Sequence, residues 1–128
     1  MTLQLYLHFP FCKSKCLYCD FCSAPGSRAE MERYTAALRR EIVQAEYPGA
    51  EVSTVYLGGG TPSILPPDLM ASVLESLRGA FSFQPSVEFS SEANPGTLTP
   101  EWLEGVRRYG VNRLSMGVQA AQDDLLRS

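Results

Sequence analysis

The chain has 128 residues, enough for one ordinary domain and too few for two, and its 45% hydrophobic and 20% charged residues support a packed core and exclude wholesale disorder. Eleven Lys and Arg against fourteen Asp and Glu give a net charge of −3, with no basic block beyond Arg39-Arg40 and Arg107-Arg108, which argues against nucleic acid as a partner. No apolar stretch approaches the ~18 residues that span a bilayer, and no cationic start precedes the apolar run from Leu3 to Phe9, so a cytoplasmic, untargeted protein without a membrane span is expected.

Leu3 to Phe9 alternates apolar and polar residues, the pattern of a half-buried strand, and runs directly into the cysteines. Ser27 with Glu30 three residues on is a capping box, and Met31, Tyr34, Leu38 and Ile42 then recur on one helix face until Tyr47-Pro48-Gly49 stops it. A second strand, Val52 to Leu57, ends in Gly58-Gly59-Gly60-Thr61-Pro62-Ser63. A second helix starts near Pro67-Asp68, buries Leu69, Met70, Val73, Leu74 and Leu77, and stops at Gly79. The third strand is Val87 to Ser91, followed by Glu92-Ala93-Asn94-Pro95. Thr99 caps a third helix with Pro100 at its first position, Arg107 and Arg108 in its last turn and Gly110 just past its end. Val111 to Met116 is the fourth strand, and Asp123-Asp124 opens a fourth helix.

Strands alternating with helices imply βα units and a parallel sheet, either open and doubly wound or closed into a barrel. Side-chain parity separates the two. Leu3, Leu5 and Leu7 oppose Gln4, Tyr6 and His8; Val55 and Leu57 oppose Thr54, Tyr56 and Gly58; Val87 and Phe89 oppose Glu88, Ser90 and Glu92; Leu114 and Met116 oppose Arg113 and Ser115. A sheet covered by helices on both faces would read as nearly continuous Val, Ile and Leu, so this pattern favours a barrel with a polar lumen. Four strands are about half of the ~8 that close such a barrel, and the chain is expected to be the N-terminal part of something larger.

All four cysteines fall between Cys12 and Cys22, spaced Cys12-x3-Cys16-x2-Cys19 with Cys22 three residues later. Disulfides there would close very short loops, with little entropic return. The cluster sits just past the first strand, where βα proteins place active sites. Four readings remain open from the residues themselves: structural zinc, which usually has two separated pairs; a thioredoxin-like CxxC, blurred by two overlapping pairs; a four-cysteine electron-transfer cluster; and three thiolates holding a [4Fe–4S] cluster whose fourth iron is open.

Cys12-x3-Cys16-x2-Cys19 with Tyr18 before the third cysteine resembles the signature of the radical S-adenosylmethionine superfamily. The stretches Leu5-Tyr6-Leu7-His8-Phe9-Pro10-Phe11-Cys12, Tyr18-Cys19-Asp20-Phe21, Gly58-Gly59-Gly60-Thr61-Pro62-Ser63, Glu92-Ala93-Asn94-Pro95-Gly96 and Asn112 through Gln119 occur in the order of the oxygen-independent coproporphyrinogen III oxidase-like family, which includes a heme-chaperone branch. The resemblance covers essentially the whole chain. It implies a radical S-adenosylmethionine barrel in which Cys12, Cys16 and Cys19 ligate the [4Fe–4S] cluster. Tyr6, Tyr18, Gly59, Gly60, Thr61, Glu92 and Gln119 would then contact S-adenosylmethionine. It also implies binding of heme and its transfer to an acceptor protein, or, as the enzyme alternative, radical oxidative decarboxylation of coproporphyrinogen III; either needs an electron donor. A third reading is a fragment without complete activity.

Each residue also has a plainer role. Gly58 to Gly60 fits neither GxGxxG nor a P-loop and reads alone as a turn. Glu92 reads as a strand-end carboxylate, His8 as a hydrogen-bonded lumen residue, Lys13 and Lys15 as solvated, and Gln4, Arg113 and Ser115 as lumen filling. The oxidase branch carries an extra cysteine where this chain has Phe21, so the chaperone branch fits better. Cys22 is then a small loop residue, because a fourth thiolate would block the open iron.

Overall fold

A computed structural model of the chain describes residues 1–11, 27–45 and 47–116. In chain order the elements are β1 (Thr2–Phe9), α1 (Arg28–Gln44), β2 (Glu51–Gly59), a 3-10 turn (Pro62–Ile64), α2 (Pro67–Ala80), β3 (Ser82–Ala93), α3 (Pro100–Arg108) and β4 (Arg113–Met116). The strands form one parallel sheet in sequential order β1-β2-β3-β4. Helix α1 packs on α2 and α2 on α3. One sheet face, carrying Leu7, Phe9, Val55, Leu57, Val87 and Phe89, joins Met31, Ile42, Met70, Val73, Leu74, Leu77, Trp102 and Val106 of the helices in a single core. The opposite face carries Gln4, Tyr6, His8, Tyr56, Glu88, Arg113 and Ser115, all exposed. This is the one-sided polarity that the parity of the strands predicts, with the chain forming an open stretch of parallel βα structure.

Helix ends follow local chemistry. The Ser27 hydroxyl accepts from Glu30 N at 3.1 Å and the Thr99 hydroxyl accepts from Trp102 N at 3.1 Å, each satisfying a donor that the first helical turn leaves unpaired. Gly110 follows α3 with φ 104°, a conformation that side-chain-bearing residues avoid.

Several boundaries differ from the sequence pattern. β3 starts at Ser82 rather than Val87: Phe83 pairs with Val52 and Glu88 with Thr54, so the segment Gln84-Pro85-Ser86 bulges out of the ladder. Pro85 has no N–H for a ladder bond, which is why the regular pattern restarts only after it. β4 starts at Arg113 rather than Val111, because the Asn112 side chain stands in for the first rung, accepting from Phe89 N at 3.0 Å and donating to Val87 O at 2.9 Å. Met116 shares Leu114's parity but is 43% exposed at the sheet edge, so its expected burial is corrected. The helix expected at Asp123-Asp124 lies outside the described residues.

The core, and not the surface, holds this fold. Phe9, Leu57, Phe89, Val55, Leu74 and Trp102 are each almost wholly buried, and such side chains contribute roughly 1.5–3 kcal/mol apiece. The ion pairs among the described residues, such as Arg28–Asp68 at 2.6 Å and Arg113–Glu88 at 2.5 Å, join largely exposed groups, where about 0–1 kcal/mol is typical. No described helix is long and apolar enough to cross a membrane.

Candidate functional site

The carboxyl ends of β1, β2 and β3 bring a polar and aromatic group together on the open face. Register places Tyr6 beside Tyr56, His8 beside Gly58 and Glu92 beside Ser115. The Tyr6 and Tyr56 rings stack with centroids 5.9 Å apart and planes at 11°. The Tyr6 hydroxyl lies 3.5 Å from His8 Nδ1.

Gly58 is the floor of this group. A Cβ there would sit 2.6 Å from Glu92 Oε1, 2.8 Å from Tyr56 Cε1 and 3.0 Å from the Tyr6 hydroxyl. Three side chains from three strands therefore converge on one notch that only glycine leaves open. Gly59 is needed for a different reason: its φ is 103°, and a Cβ would meet the His8 ring at 2.6 Å and Phe9 N at 3.0 Å.

The Glu92 carboxylate acts on both phenols. Partial burial, and then the Glu92 carboxylate, raise the Tyr6 phenol above the ordinary tyrosine pKa of 10.0. Tyr56 is raised by the same two causes, with hydrogen bonding to Glu92 adding to the rise and hydrogen bonding to Ser115 opposing it. Both phenols stay neutral, and a neutral phenol can donate a hydrogen bond to a carboxylate.

The glycine loop is tied to β1 beyond the last strand residue. Gly60 N donates to Phe9 O at 2.6 Å and Thr61 N to Phe11 O at 2.7 Å, so neither amide is available to a ligand. Tyr34 of α1 donates its hydroxyl to His8 O and packs edge-on against Phe11, with centroids 5.4 Å apart. On the other side, buried Ser63 accepts from Asn94 N at 2.9 Å and pairs with the Thr97 hydroxyl at 2.6 Å, joining the glycine loop to the turn that follows Glu92.

Of the residues expected at a site, Tyr6, Gly59, Gly60, Thr61 and Glu92 are thus gathered at one end of the sheet. Cys12, Cys16, Tyr18, Cys19, Cys22 and Gln119 lie outside the described residues. Among those described, no group of three or more His, Cys, Asp and Glu is placed to hold a metal ion. Sequence reasoning assigned no site role to Tyr56 or Ser63. The parity shared with Tyr6 was a usable signal for Tyr56; Ser63 had none, since its partners lie more than thirty residues away.

A family model, that of the radical SAM superfamily, matches residues 6–128. The chain belongs to the radical SAM superfamily. Its relatives include the heme chaperone HemW of Synechocystis, 38% identical over 98% of this chain and 32% of the relative. Another is the oxygen-independent coproporphyrinogen III oxidase of Bradyrhizobium diazoefficiens, 40% identical over 93% of this chain and 27% of the relative. Among solved structures, the Escherichia coli coproporphyrinogen III oxidase HemN, described as a radical SAM enzyme, superimposes with a TM-score of 0.82 at 35% identity, over 90% of this chain and 27% of that one. This radical SAM chain therefore spans about a third or less of the length of the relatives it matches.

Proposed function

We propose that this stretch is the N-terminal part of the radical SAM core of a HemW-type heme chaperone, with the remaining barrel and a C-terminal domain lying outside it. In this reading Cys12, Cys16 and Cys19 hold a [4Fe–4S] cluster. Tyr6, Tyr18, Gly59, Gly60, Thr61, Glu92 and Gln119 hold S-adenosylmethionine. When bound, the reduced cluster supplies an electron to the sulfonium of S-adenosylmethionine.

The observation that carries the reading is the notch over Gly58. S-adenosylmethionine presents an ammonium, ribose hydroxyls and a sulfonium, and the notch offers a carboxylate acceptor beside the Tyr6 hydroxyl and the edge of the Tyr56 ring. An ammonium can only donate hydrogen bonds, so its recognition falls to acceptors: Glu92 and the carbonyl oxygens of the loop. His8 and Tyr34 fix the exit of β1 against this floor. The core is proposed to act in the cytoplasm with an electron donor, to bind heme and to pass it to an acceptor protein, in keeping with the HemW relatives.

A second reading, oxidative decarboxylation of coproporphyrinogen III, is favoured by the 40% identity to the Bradyrhizobium oxidase and by the HemN likeness. The full-length protein, reconstituted anaerobically with iron and sulfide, separates the two. Stable heme binding without turnover supports the chaperone; decarboxylated porphyrinogen supports the oxidase. Cys12→Ala, Cys16→Ala and Cys19→Ala should each abolish the cluster, and Cys22→Ser should keep it together with its response to S-adenosylmethionine. Wild-type iron and sulfide content in any of the three alanine variants would sink the ligand assignment.

A further inference from the structure

We propose that Tyr56 is a positioning residue of the S-adenosylmethionine site, holding the Glu92 carboxylate over Gly58 with its phenol and the Tyr6 ring in place by stacking. The inference rests on the reading of the site given above and adds to it a residue that none of its motifs contains.

Three observations support it. Tyr56 Cε1, Glu92 Oε1 and the Tyr6 hydroxyl all lie within 3.0 Å of one point above Gly58, so the Tyr56 ring edge and the carboxylate are neighbours across β2 and β3. The ring lies nearly parallel to that of Tyr6, one strand away, with centroids 5.9 Å apart. Tyr56 is also 37% exposed on the open face, so it is not needed to fill the core, whose residues lie on the other side of the sheet. A carboxylate at a sheet surface ordinarily samples several rotamers. A wall on one side and a donor beside it confine Glu92 before any ligand arrives, and that preorganisation strengthens binding. Tyr6 gains likewise, since a stacked neighbour limits where its ring can swing.

The test is equilibrium binding of S-adenosylmethionine to the cluster-reconstituted full-length protein by anaerobic calorimetry. It compares wild type, Tyr56→Phe, Tyr56→Leu, Glu92→Gln and the Tyr56→Phe/Glu92→Gln double variant. Tyr56→Phe keeps the ring and loses the hydroxyl; it should weaken binding about tenfold, and Tyr56→Leu, which loses both, should weaken it further. Since the hydroxyl acts through Glu92, the double variant should bind no more weakly than Glu92→Gln alone. The cofactor-induced change in the electron paramagnetic resonance of the reduced cluster should shrink in Tyr56→Phe at equal cofactor concentration, with iron content and circular dichroism unchanged. Wild-type affinity in Tyr56→Phe, or a loss that simply adds to that of Glu92→Gln, would overturn the positioning role while leaving the site intact. A wild-type protein that binds no S-adenosylmethionine would overturn the reading of the site and this inference with it.

Discussion

A Cβ at Gly58 would press on the far ends of Glu92, Tyr56 and Tyr6, which can swing aside, whereas one at Gly59 would meet Phe9 N and take up a φ of 103°. Neighbouring alanine substitutions should therefore fail differently. Gly59→Ala should cost about 1–3 kcal/mol of stability through backbone strain, read as a lower thermal midpoint. Gly58→Ala should leave that midpoint near wild type and lose the notch, read as weaker S-adenosylmethionine binding. The phenols give a pH prediction. Tyr6, Tyr34 and Tyr56 are each raised above 10.0, first by burial, with Glu92 the second cause for Tyr6 and Tyr56 and Glu41 the second for Tyr34. A phenol whose folded pKa is raised stays protonated while the unfolded chain begins to ionise. Stability is thus unaffected below about pH 10 and falls above it. In a spectrophotometric titration, Glu92→Gln should bring Tyr6 and Tyr56 part of the way back and leave Tyr34 where it was. Equal movement of all three would mean that Glu92 is not the local cause.

Between elements, Ser63 is the joint that the motif conceals. Buried behind the glycine loop, it accepts from the amide of Asn94 and shares a hydrogen bond with the Thr97 hydroxyl, so Ser63→Ala strands the Asn94 donor on the turn after Glu92. The expected cost is about 1–3 kcal/mol by chemical denaturation, with partial recovery in Ser63→Thr, which keeps the hydroxyl. A neutral alanine would show that the turn is held by its own bonds, such as Gly96 N to Asn94 Oδ1 at 2.8 Å. Such joints mark where sequence reading runs out. The capping residues Ser27 and Thr99, the stop at Gly110 and the two faces of the first two strands were legible because each is decided within a few residues. The bulge at Pro85, the Asn112 side chain acting as a ladder rung, the Ser63 link and the meeting of Tyr56 with Glu92 were not. They depend on partners brought together only by the parallel register. Arg78 is a further case: it donates to Tyr109 O at 2.8 Å while its guanidinium lies 4.2 Å from the Phe83 ring centroid, fastening α2 to β3 and the end of α3. Within the site, Tyr6 and Glu92 could be placed by parity and motif, but the space above Gly58 that joins them could not.

For the molecule as a whole, helices cover one face of the sheet, and among the described residues β1 and β4 are its edges. Edge strands present unpaired N–H and C=O groups, and the open face shows Tyr6 at 58% and Tyr56 at 37% exposure. A polypeptide of these 128 residues alone should self-associate, which light scattering would show; a monodisperse, cooperatively folding monomer would contradict it. The only tryptophan, Trp102, is 1% exposed and reports whether the helical layer stays intact as association proceeds. The amides of Gly60 and Thr61, which donate to Phe9 and Phe11, carry a kinetic consequence. They belong by position to a loop, yet they extend the β1–β2 ladder by two rungs and should exchange hydrogen with solvent on the timescale of sheet opening. Gly96, whose amide rests on an exposed side chain, should exchange far sooner. Since Phe11 adjoins Cys12, those two slow amides form a built-in clock for how often the exit of the first strand parts from the floor of the site.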